Sequence, residues 1–170
     1  MRSSKRYTNA TFTRRVDHDG GRHRGDKAPK EPLVCTTCGS VYSRRRWAAP
    51  SDERAGMLQG VAEPTLCPAC QMREQGQFGG HLTVTGAFLD GHRDDIEALL
   101  RAEAQRAFED NPTGQILTWD SREPQTITIT TSTEHLVQRL GHALKKAYGG
   151  EIDYGFSHEN KLARATWRRD

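Results

Sequence analysis

Along the second half of this 170-residue chain, apolar and polar positions fall into two periods. HLTVTG (residues 81–86) alternates, as a half-buried strand does. Residues 88–108 follow a helical period instead, with Phe88, Ile96, Leu99, Leu100 and Phe108 as the apolar set. Asn111-Pro112 and Gly114 stop that helix. GQILTWD (114–120) and QTITITT (125–131) alternate again and read as two strands around a turn at 121–124. Thr131-x-x-Glu134 has the form of a capping box. It predicts a helix over 132–148 with Val137, Leu140, Leu144 and Ala147 buried, ended by Gly149-Gly150. EIDYGF (151–156) and LARATW (162–167) complete the pattern as two strands around a turn at 158–161.

The resulting order, β-α-β-β-α-β-β, predicts an α+β fold. Its C-terminal part, 79–170, reads as a ferredoxin-like split βαβ unit with an extra strand. Upstream of it the apolar pattern is too thin for a core. Hydrophobic residues make up 34% of the chain and its mean hydropathy is −0.81. Residues 1–31 carry nine Lys or Arg and four acids, or +5, against +3 for the whole chain, so the remainder is −2. This segment predicts a basic, extended arm that is disordered when alone. The apolar h-region of a secretory signal is missing from it, and no run approaches the roughly 20 apolar residues of a membrane span. Its Arg, Ser and Thr suit a mitochondrial presequence, but Gly20, Gly21, Asp17 and Asp19 oppose a long amphipathic helix. The chain reads as cytoplasmic.

The chemistry lies between arm and α/β unit. Cys35 and Cys38 form one C-x-x-C pair, Cys67 and Cys70 another, 28 residues apart (39–66). Two such knuckles suit one tetrahedral tetrathiolate ion and leave no cysteine over. Zinc is the expected metal, with a rubredoxin-like iron as its rival, since spacing does not separate them. Disulfides are the other rival, and a reducing cytosol disfavours them. Gly39 is expected at positive φ, and Pro68 is expected to set a second tight turn. Four cysteines close the coordination shell, so the ion is structural. The region 32–78 is then a zinc ribbon. In it Val41, Tyr42 and Trp47 form a short bent strand, and 48–60 forms a mobile loop.

Cations mark candidate RNA contacts. In the arm these are Lys5, Arg6, Tyr7, Arg14, Arg15, Arg22 and Arg24, where aromatics and histidines interleave with charge. In the ribbon they are Arg44, Arg45, Arg46 and Trp47. On the second helix Arg139, His142 and Lys146 share a face. The plainer readings are a solubilising tail, a solvated helix face and cations that complement a helix dipole. The seven histidines form no H-E-x-x-H, and neither a Walker loop nor a nucleophile elbow is present, so the chain does not read as an enzyme with a small-molecule substrate.

The C-x-x-C-G pair, the second C-x-x-C and the segment TSTEHLVQRLGHALKKAYGGEID resemble the archaeal and eukaryotic large-ribosomal-subunit export adaptors, the family named after nonsense-mediated decay protein three. Leu136, Arg139, Lys145, Tyr148, Gly149 and Gly150 stand where that family has its helix and aromatic-Gly-Gly turn. The arm KRYTNATFTRRVDHDGGR resembles the start of small, uncharacterised bacterial zinc-ribbon relatives of that family. The adaptors carry more cysteine pairs, further domains and a leucine-rich export signal, so export is not implied. The resemblance implies binding to large-subunit ribosomal RNA near the tRNA exit region, and the chain itself reads as a monomer. Such a protein acts by occupancy in assembly, stress or dormancy (ribosome hibernation). Two other functions compete: a DNA-binding zinc-ribbon transcriptional regulator and an iron tetrathiolate electron carrier.

Overall fold

The computed structural model describes residues 30–157 and 162–170. Residues 1–29 of the predicted arm and the turn at 158–161 lie outside the described residues, as do the candidate contacts Lys5, Arg6, Tyr7, Arg14, Arg15, Arg22 and Arg24. Glu31–Asp170 form one compact unit of mixed α+β structure, with four helices and two mixed sheets among the described residues.

The smaller sheet comprises β1 (Leu33–Cys35), β2 (Val41–Ser43), β3 (Arg46–Ala48) and β4 (Glu63–Thr65), in the order β3-β2-β1-β4. β1 is antiparallel to β2 and parallel to β4. The expected bent strand is therefore a hairpin: Tyr42 faces Trp47, Ser43 faces Arg46, and Arg44-Arg45 form its two-residue turn. The 48–60 stretch, expected as a loop, carries helix α1 (Glu53–Leu58). Asp52 caps it by accepting from the Arg54 and Ala55 amides at 2.9 and 3.3 Å, and Ala55 is buried. A single buried methyl leaves too little periodicity to be read from sequence. Helix α2 (Pro68–Glu74) follows β4, with Pro68 in its first turn, where a proline lacks only an amide that has no helical partner.

The larger sheet comprises β5 (Gly80–Thr85), β6 (Ile116–Asp120), β7 (Thr126–Thr131), β8 (Glu151–Ser157) and β9 (Leu162–Arg168). Helices α3 (Leu89–Asp110) and α4 (Glu134–Tyr148) pack together on one of its faces. The order is β6-β7-β5-β9-β8. The first three strands make the split βαβ arrangement: β6 lies beyond β7, and β7 is antiparallel to both neighbours. The extra strand does not extend the edge. β9 is inserted between β5 and β8, parallel to β5 and antiparallel to β8.

Leu82, Val84, Ile127, Ile129, Ala165 and Trp167 point from the strands into the core. Leu89, Ile96, Leu100, Leu136, Val137, Leu140 and Leu144 meet them from the helices. Two details depart from the sequence reading. Thr133, not Thr131, caps α4, its hydroxyl accepting from the Leu136 amide at 3.3 Å, while the Thr131 hydroxyl donates to the Thr133 carbonyl. Ala147 is exposed, and Gly141 takes its place in the buried stripe, because Ile152 and Tyr154 of β8 lie directly over it. Gly149, at φ 69°, ends the helix as expected. No helix among the described residues is long and apolar enough to cross a membrane.

Candidate metal centre

Cys35 closes β1 and Cys38 follows in a tight turn. In that turn the Gly39 amide donates to the Cys35 carbonyl at 2.9 Å and the Cys35 amide to the Ser40 carbonyl at 2.8 Å. Gly39 sits at φ 74°, and a Cβ there would lie 3.2 Å from Pro50, so the knuckle depends on glycine for both conformation and space. Cys67 is the N-cap of α2 and Cys70 lies one turn on, so the second knuckle is built on a helix start.

All four Sγ atoms lie within 4.8 Å of one another, and none is in a disulfide. Bonds of about 2.3 Å to a tetrahedral ion place the sulfurs about 3.8 Å apart; Cys38 and Cys67 are 3.6 Å apart. The set is therefore close enough to hold one metal ion. Hydrogen-bond donors reach several of the sulfurs. The Cys67 amide donates to Cys35 Sγ at 3.3 Å, and the Cys70 amide to Cys67 Sγ at 3.5 Å. The Ser40 hydroxyl lies 3.1 Å from Cys38 Sγ. A hydrogen bond from the Cys67 thiol, aided by Ser40, pulls Cys38 down to about 4. Cys67, the donor in that pair, is pushed up by the same bond and by burial. Burial pushes Cys70 up to about 11. Two of the sulfurs thus keep their protons until a cation replaces them.

Sequence reasoning missed two outer residues. Arg73 Nη1 donates to Cys70 Sγ at 3.7 Å, and its Nη2 donates to the Gln115 side chain at 3.3 Å and the Ile116 carbonyl at 3.0 Å. Gln115, buried just before β6, lies 3.8 Å from Cys67 Sγ through Nε2, which also donates to the Pro112 carbonyl at 2.7 Å. Its amide donates to the Ser132 hydroxyl at 2.8 Å. These bonds fasten the centre to the larger sheet. Arg73 had a signal, since it stands three residues after Cys70 and so on the same helical face. Gln115 had none, because only the fold brings it near.

Arg44, Arg45 and Arg46 are exposed at the far end of the hairpin. Arg44 and Arg45 have φ values of 51° and 63°, in the left-handed region. The Glu31 carboxylate accepts both their amides, at 2.6 and 3.0 Å. Trp47 is half-buried, packed on the cysteine cluster and 5.4 Å from the Tyr42 ring, so it supports the centre more than it offers an open face. The three helix candidates are not alike. Arg139 is drawn onto α3, to Glu103 at 3.2 Å and Asp110 at 2.7 Å, whereas His142 and Lys146 are exposed. No protein-family model, curated protein or solved structure matches this chain.

Proposed function

We propose that this chain is a zinc-ribbon RNA-binding protein that associates with ribosomal RNA of the large subunit. It acts there by occupancy, without catalysis. The all-thiolate, amide-solvated donor set suits zinc in a structural role. The observation that carries the RNA reading is the arginine turn. Two consecutive arginines occupy a turn that normally takes Asn-Gly, at a conformational cost of about 1–2 kcal/mol each. Glu31 holds the turn closed, and the side chains stay exposed. Strain kept at a display site argues that the side chains are needed there. Guanidinium groups pair bidentately with phosphates and stack on unpaired bases. The basic segment that joins at Glu31 adds cations. The ribosome as target rests on the resemblance to the export adaptors.

Sedimentation of tagged protein through sucrose gradients, with and without RNase, tests the reading. The protein should travel with large subunits in an RNA-dependent and salt-sensitive way, log affinity falling by about 0.7 per phosphate neutralised on single strands. Replacing Arg44, Arg45 and Arg46 together by alanine should weaken the association and flatten the salt slope at unchanged metal content. If that variant co-sediments at the same salt as its parent, the reading fails. Metal analysis and colour separate zinc from iron, since a ferric tetrathiolate is red.

A further inference from the structure

We infer that, on the reading of the Arg44-Arg45 turn as an RNA contact, this turn is a phosphate-binding nest that Glu31 fills in the free chain as a built-in competitor. Two successive amides converge there on one carboxylate. The Arg44 amide donates to Glu31 Oε2 at 2.6 Å and the Arg45 amide to Glu31 Oε1 at 3.0 Å. The pairing of the hairpin ends at Ser43 and Arg46, one step short of both amides. Successive amides in a turn make an anion-binding concavity. A phosphate offers the same grip as the carboxylate, two oxygens on one atom that share negative charge. The three guanidinium groups around the turn are exposed, so an anion seated on the amides would lie among them.

The occupant explains how the site would choose its ligand. Glu31 is exposed, so it can leave the nest for water without opening a cavity. While it stays, it cancels one of the three positive charges of Arg44, Arg45 and Arg46 and takes both amides. A group tethered by a short segment competes as though present at about millimolar concentration. A lone phosphate below that level does not displace it. A nucleic-acid strand does, because its neighbouring phosphates are held by the guanidiniums while one of them enters the nest. A nest closed in about nine molecules of ten binds about tenfold more weakly than an open one. Glu31 thus favours polyanions over small ions.

The full, metal-loaded chain is titrated with inorganic phosphate and, separately, with a single-stranded oligoribonucleotide. NMR follows the Arg44 and Arg45 amides and the Glu31 carboxyl carbon. RNA should move all three signals, the Glu31 carbon toward that of an unbound glutamate. Glu31→Ala and Glu31→Gln should tighten RNA binding by about three- to tenfold and bring the phosphate response to lower concentration. Both should keep the parental metal content and circular dichroism, since residue 31 is exposed. Glu63, which is exposed and pairs with Leu33 across the sheet, provides the control for charge alone. At physiological salt Glu63→Gln should change RNA affinity by less than about twofold, because exposed charges are screened. Weaker RNA binding by both Glu31 variants would make Glu31 only a clamp and overturn the proposal. So would RNA binding that leaves the Glu31 carbon in place, or an equal gain from Glu63→Gln. If the triple alanine variant of Arg44, Arg45 and Arg46 co-sediments like its parent while phosphate still reaches the turn amides of Glu31→Ala, the RNA reading falls and the nest stands as a site for free phosphate.

Discussion

Arg44 and Arg45 hold backbone angles that asparagine and glycine hold at lower cost. Arg44→Asn combined with Arg45→Gly should raise the unfolding free energy by about 1 kcal/mol, read as a higher melting temperature, while RNA retention falls. A variant that gained stability and kept its RNA would sever the strain from the function. His81, on β5, has its pKa lowered by burial and by Arg164 on the neighbouring strand. Its neutral form is thus favoured on folding. That contribution is present above the unfolded value of 6.5 and is lost as pH falls through the folded value. An NMR titration should place the His81 midpoint below 6.5, and Arg164→Ala should move it upward. At this scale the sequence was uneven. Gly39 announced its positive φ, because a knuckle turn needs a residue without a Cβ. Arg44 and Arg45 gave no such signal, since arginine is the wrong residue for the turn it makes.

At the scale of elements, the two knuckles and the strands of the larger sheet were legible, because each has its own local pattern. The links between them were not. Arg73 and Gln115 join the centre to β6 across some forty residues of chain, and no period marks such a pair. Ala147 reads as core by helical spacing, but β8 approaches on the Gly141 side. Outer partners of a metal centre tune affinity by about 10–100-fold. Gln115→Leu should therefore weaken metal binding within that range, measured by competition with a chromophoric chelator. Full parental affinity would mean that the glutamine only fills space. Affinity should also tighten as pH rises. Thiols of a metal-free, melted ribbon carry their protons at neutral pH, and the metal must displace those protons. A flat dependence between pH 6 and 8 would contradict the thiolate assignment.

For the molecule as a whole, the buried residues fall into two clusters. The larger sheet and its helices enclose a continuous apolar core, whereas around the metal centre the buried cluster is Cys35, Cys67, Ala69 and Cys70. Metal removal should therefore melt residues 32–78 and spare β5 to β9, seen by NMR as loss of dispersed signals from the ribbon alone. The small size of the second cluster could be read in the sequence from the scarcity of apolar residues before position 79. The strand order was not, because an alternating pattern fixes a strand's faces but not its neighbours.

β9 is made after β8 yet lies inside it, bonded on one flank to β5 and on the other to β8. A ribosome synthesising this chain therefore releases β8 before the strand that anchors it exists. Until Leu162–Arg168 leaves the exit tunnel, β5 lacks a flank and the core lacks the Trp167 indole, which is wholly enclosed in the finished protein. The α/β half cannot mature strand by strand during translation. It stays an open sheet until β9 closes it, so the nascent chain depends on being shielded until Leu162–Arg168 has emerged.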